Sequence, residues 1–144
     1  NAGSGSITAI YTVLTQANED QDALGEEVKS LLDGHLVLSP KVAEQGIRPA
    51  IDVLRSISRL TGSLQSPDQQ KMCARFRSLM ARLQTDKDLV MLGGEPDAEL
   101  AAVMSLEGEL KSSLSQGIFE SRAILESVAS IRDFVAKVES KIKL

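Results

Sequence analysis

Tryptophan is absent from this 144-residue chain, tyrosine and histidine occur once each, and aromatics make up only 3%. A core must therefore be aliphatic, built from Leu, Ile, Val, Ala and Met. The single cysteine, Cys73, cannot close an internal disulfide, which fits a reducing cytoplasm. One histidine and one cysteine cannot form a Cys/His cluster, so no structural zinc site and no other metal site is expected. No apolar run approaches the roughly 18–20 residues that span a bilayer, and no signal peptide is expected from the opening residues. The net charge of −4 and pI near 5.0 leave no basic field, which makes nucleic acid a poor partner. GxxxxGK[ST] does not occur, so no loop with its lysine cradles a phosphate. Gly3-Ser4-Gly5-Ser6 has the glycines but no lysine and reads as a plain turn.

What is present is ordinary for a folded chain: 42% hydrophobic and 25% charged residues argue against wholesale disorder. Asn1-Ala2 reads as the remnant of a cleaved tag, outside the fold. Residues 7–14, ITAIYTVL, are β-branched and nearly continuously apolar, the pattern of a buried strand in a parallel sheet covered on both faces. Residues 18–22 form a polar, acidic loop. Leu24, Val28, Leu31 and Leu32 share one helical face, with Gly34 as its stop. Leu36-Val37-Leu38 is a second short strand, and Ser39-Pro40 starts a short helix that Gly46 ends. Strand, helix, strand, helix is α/β order, but sixty residues cannot complete such a sheet. Residues 3–62 are therefore expected to be the edge of a larger α/β domain.

Residues 63–144 change to helices only. Ser66-Pro67-Asp68-Gln69 is a capping box with Pro at the first helical position. Met72, Phe76, Leu79, Met80 and Leu83 make the following apolar stripe. Gly93-Gly94-Glu95-Pro96 breaks the chain. Leu100, Val103 and Met104, then Leu106, Leu110 and Leu114, continue the helical pattern. Ile124, Val128, Ile131, Val135, Val138 and Ile142 form a heptad-like seam, which suits either a bundle helix or a docking helix for a coiled-coil partner.

Few side chains invite chemistry. His35 at a strand start reads as a packed structural residue, and Cys73 as a core thiol. Arg75, Arg77 and Arg82 lie on one helix and read as a solvated face or a contact with an acidic partner or neighbouring subunit. Residues 46–59, GIRPAIDVLRSISR, are the most informative stretch. Pro49 restricts Arg48 to extended backbone. Arg59 stands at the junction between the α/β and helical parts, where an arginine can serve an internal ion pair, for instance with Asp52, or reach a phosphate.

Four segments in one order, GSITAIYTVL (5–14), SLLDGHLVLS (30–39), VAEQGIRPAID (42–52) and SISR (56–59), resemble the type III secretion and flagellar export ATPases, relatives of the rotary ATP synthase subunits. The resemblance implies the last strands of a P-loop ATPase domain followed by a helical C-terminal domain, in a C-terminal fragment of a homohexameric enzyme. It implies ATP and magnesium for the whole protein and none held by this chain alone. It implies an arginine finger at Arg59, acting in trans on the neighbour's nucleotide. It places Arg48 and Pro49 near the adenine, with Arg48 where catalytic members carry an aromatic; GIRPAI is closer there to non-catalytic alpha subunits. Expected partners are the central and peripheral stalk proteins of the export apparatus, secretion chaperones and cargo, in the bacterial cytoplasm and peripheral to the inner membrane. The alternatives are the matching fragment of an alpha-type ATP synthase subunit and a freestanding helical adaptor.

Overall fold

The computed structural model describes residues 3–14 and 23–143, the side chain of Leu24 excepted. The tag remnant expected at Asn1-Ala2 and the loop expected at residues 18–22 lie outside the described residues. The chain divides into two compact units, Asn1–Asp33 and Gly34–Leu144.

In the first unit, Gly3 and Ser4 make a turn and residues 6–14 carry neither helix nor strand. Ile7, Ile10 and Leu14 are 97%, 91% and 97% exposed. The buried strand expected at residues 7–14 is thus corrected. A strand needs a neighbour to take its backbone hydrogen bonds, and the described residues contain no sheet but the two-stranded one of the second unit. Helix α1 (Ala23–Leu31) forms where the apolar spacing places it.

The second unit begins with strand β1 (Gly34–Leu38), helix α2 (Pro40–Glu44) and strand β2 (Ile51–Ser58). The two strands pair antiparallel. Gly34, read as a helix stop, is the first residue of β1. A Cβ there would meet the Ile57 carbonyl oxygen at 2.5 Å, so only glycine lets the strands approach this closely.

After a short helix α3 (Thr61–Leu64), helix α4 (Pro67–Met91) runs for 25 residues, about 37 Å at 1.5 Å per residue. Its start is the capping box read from the sequence. The Gln69 amide donates to Ser66 Oγ at 3.3 Å, and the Ser66 amide to Gln69 Oε1 at 3.0 Å. Its end is the expected break, where Gly93 takes φ +100° and the Gly94 amide returns to the Leu89 carbonyl at 3.0 Å. Helices α5 (Ala98–Ser105), α6 (Glu107–Leu114) and α7 (Ile124–Ile142) complete the bundle.

The core gathers Phe76, Leu79 and Leu83 of α4 with Ala102 and Val103 of α5, Leu106, Leu110 of α6, and Phe134 and Val138 of α7. Of the seam on α7 only Val138 is fully buried. Ile131, Val135 and Ile142 pack against the core, whereas Ile124 is 82% exposed. Phe134, outside the expected seam, is its most buried aromatic, because the contact follows the 3.6-residue face of a bundle helix instead of a strict heptad.

The arginine face of α4 is not simply solvated. Arg75 donates to Glu99 of α5 and Glu139 of α7, and Arg82 to Glu99, Asp97 and Asp86. Hydrogen bonds from Arg82 and then Arg75 hold the Glu99 carboxyl below its usual range. Lys87 and Lys111 do the same for Glu107. The acidic partners foreseen for these arginines belong to the same chain. Arg77 turns elsewhere, to β2.

Candidate functional site

The residues flagged by the sequence lie around strand β2. Arg48 and Pro49 precede it and Arg59 follows it, so the structure puts the two candidate groups at opposite ends of one strand and does not bring them together.

At the entry, the Arg48–Pro49 peptide is cis. Arg48 Nη1 donates to the Ala43 carbonyl at 2.7 Å and the Ile47 carbonyl at 3.0 Å, folding the side chain back over the end of α2. The neighbouring Ile47 is buried and anchors the turn. The Arg48 carbonyl accepts the Gln116 amide at 2.7 Å. This bond ties the turn to the loop between α6 and α7. There the Gly117 amide donates to Glu120 Oε2 at 2.9 Å and Arg122 pairs with Glu120 at 2.7 Å. The first of these, then Arg122, holds the Glu120 carboxyl below its usual range. The loop presents Ile118 and Phe119, 94% and 100% exposed. Sequence reasoning missed this neighbour of the Arg48–Pro49 turn. The available signal was an apolar pair in the short polar stretch between two helices.

Strand β2 is interrupted in its middle. His35 faces Ile57, but Val37 faces Asp52, so Leu36 alone stands opposite residues 53–56. These form a bulge held from inside and outside. Asp52 Oδ1 accepts the Leu54 and Arg55 amides, both at 3.1 Å. Ser56 Oγ donates to the Asp52 carbonyl at 2.6 Å and accepts the Val37 amide at 3.0 Å. His35 Nε2 lies 3.2 Å from the Arg55 carbonyl oxygen, which gives the histidine the structural role expected of it. From α4, Arg77 Nη1 donates to the Val53 carbonyl at 2.6 Å and the Ser56 carbonyl at 3.3 Å, and Nη2 to the Leu54 carbonyl at 2.9 Å.

Arg59 follows Ser58 directly, in the turn between β2 and α3, and is exposed. The Thr61 hydroxyl donates to the Ser58 carbonyl at 3.0 Å and fixes that turn. Asp52, considered as a partner for Arg59, spends its Oδ1 on two backbone amides. Cys73 is a half-buried free thiol. Among the described residues no group of three His, Cys, Asp or Glu could hold a metal ion, and no helix is long and apolar enough to cross a membrane.

Residues 1–58 match the nucleotide-binding domain of the ATP synthase alpha/beta family. The chain is 37% identical over 140 residues to the flagellum-specific ATP synthase of Pseudomonas aeruginosa, covering 94% of this chain and 31% of that protein. It is 37% identical over 134 residues to the SPI-1 type 3 secretion system ATPase of Salmonella typhi, covering 90% and 31%. Among solved structures it resembles the assembled ATPase EscN of the enteropathogenic E. coli type III secretion system, with a TM-score of 0.83, 30% identity, and coverage of 91% of this chain and 32% of that one. It also resembles EscN in complex with its central stalk EscO, with a TM-score of 0.71 and 25% identity over 78% of this chain and 28% of that one. The chain thus spans about a third of the length of the proteins it matches.

Proposed function

From the chain's kinship with the flagellar and type III secretion ATPases, we propose that it forms the arginine-finger and helical part of a hexameric ATPase that powers protein export. In this reading residues 3–62 complete the nucleotide-binding domain and residues 63–144 form the helical domain. The observation that carries it is one position. A chain alike over 94% of its length to a flagellar ATPase has an exposed arginine, Arg59, at the exit of the last strand of its nucleotide-binding portion.

The described residues offer ATP no lysine loop and magnesium no carboxylate cluster of their own. What they fit is one side of a phosphate site. The Arg59 guanidinium carries a fixed charge and a planar fork of donors, suited to the oxygens of a nucleotide held by the next subunit. When bound there, Mg-ATP would supply the phosphoryl group that is hydrolysed. Arg48 and Pro49, at the far end of β2, stand near the adenine end of a nucleotide in this reading, with the Gln116–Glu120 loop beside them. In this reading the two groups serve different nucleotides.

The helical domain faces the central stalk and incoming chaperones and cargo, and the whole assembly works in the bacterial cytoplasm, peripheral to the inner membrane. The EscN complex with its central stalk supports the first of these partners. In the full-length hexamer, Arg59→Ala should lower kcat for ATP by about 10³-fold or more with ATP binding retained. Turnover within a few-fold of wild type would remove Arg59 from the site.

A further inference from the structure

Arg77 makes three hydrogen bonds, and all three go to the backbone of one bulge. Its guanidinium takes the carbonyls of Val53, Leu54 and Ser56. The one carbonyl left in the bulge, that of Arg55, lies 3.2 Å from His35 Nε2, and the Asp52 carbonyl just before it accepts Ser56 Oγ. No ladder could satisfy these groups, because Leu36 is the only residue of β1 across from the bulge. A long bulge without such a clamp would leave partly buried carbonyls unpaired and its geometry undetermined. The bulge ends at Ser56, and Arg59 emerges three residues later. The path of residues 53–56 therefore sets where and in which direction Arg59 leaves the strand.

We propose that Arg77 is a positioning residue for Arg59. It reaches from the bundle helix α4, fixes the bulge in β2, and thereby holds the finger at the height and direction needed to meet a neighbour's nucleotide. The inference rests on the reading of Arg59 as a finger acting in trans. Arginine is the side chain this task requires. One planar fork spans three carbonyls, whereas the point charge of lysine cannot hold all three. Asp52 and Ser56 complete the clamp from inside the strand, so they form one positioning unit with Arg77.

A misplaced finger costs rate without costing substrate affinity. In the full-length hexamer, Arg77→Gln should lower kcat about 10- to 100-fold, the scale of a displacement near 1 Å, with KM for ATP unchanged. Mixed hexamers separate positioning from mere destabilisation. Subunits with Arg77→Gln should regain turnover when mixed with subunits lacking the phosphate-loop lysine, which carry an intact finger, and should gain nothing when mixed with Arg59→Ala subunits. Arg77→Gln would then share the defect of Arg59→Ala. If Arg59→Ala behaves as a finger variant but Arg77→Gln keeps wild-type kcat, or is rescued by Arg59→Ala subunits, the positioning role is wrong and the finger stands. If Arg59→Ala itself retains turnover, both fall. Should Arg77→Gln fail to assemble, Ser56→Ala, which releases the Asp52 carbonyl and the Val37 amide, takes its place in the same mixtures with the same two outcomes.

Discussion

Phe76 of α4 and Phe134 of α7 meet edge to face, their ring centroids 5.5 Å apart and their planes at 80°. Both rings are almost fully buried, 3% and 2% exposed. In a chain with three phenylalanines and no tryptophan, this pair supplies most of the aromatic contact in the core. Phe134→Ala should therefore destabilise the chain by about 3–5 kcal/mol, and Phe134→Leu by much less. Urea unfolding followed by circular dichroism measures both. A loss below about 1 kcal/mol for the alanine variant would mean that α7 is not docked on α4.

Glu99 joins two arginines of α4 to the start of α5, and its carboxyl is held below the usual range by Arg82 first and Arg75 second. A carboxylate with a depressed native pKa stabilises the fold above its unfolded value and loses that contribution as pH falls through the native one. Glu99→Gln should thus lower stability by roughly 1 kcal/mol at pH 7, a figure reduced for solvent screening. The gap to wild type should shrink as pH drops below about 4. Melting temperatures of the two proteins from pH 7 to pH 3 test this. A gap constant across that range would show that the network contributes no charge-dependent stability.

Much of the helical part was legible in the sequence because it rests on local rules. The Ser66–Gln69 capping box, the Phe76–Leu79–Leu83 stripe and the Gly93-Gly94 stop each act within a turn or two of helix. The bulge in β2 was not legible. Its clamp joins His35, Asp52, Ser56 and Arg77, and nothing in a one-dimensional pattern says that Arg77 leaves the face of Arg75 and Arg82 to bind carbonyls 21 to 24 residues away. Residues 7–14 misled for a related reason. Their composition is that of a strand, but a strand is a relation between two segments, and no second segment among the described residues pairs with them. Of the candidate site, Arg48, Pro49 and Arg59 were proposed through resemblance; that they occupy opposite ends of one strand needed the fold.

The chain by itself should not hydrolyse ATP at any protein concentration. Its sequence lacks GxxxxGK[ST], and with it the lysine and magnesium site that stabilise charge in phosphoryl transfer. Phosphate release measured on the purified 144-residue chain should equal a protein-free blank. Release that scales with chain concentration would place a complete site inside it.

The central claim is that Arg59 acts on a nucleotide held by the next subunit, and mixed hexamers test it most directly. Arg59→Ala subunits keep their own nucleotide site, and subunits without the phosphate-loop lysine keep their finger. Neither should turn over alone, while the mixture pairs one good finger with one good site at some interfaces. Phosphate release from the mixture is predicted to rise above both parents and to peak near equal proportions. No rise at any proportion, together with a lowered melting temperature for Arg59→Ala, would make Arg59 a structural ion-pair residue and contradict the account.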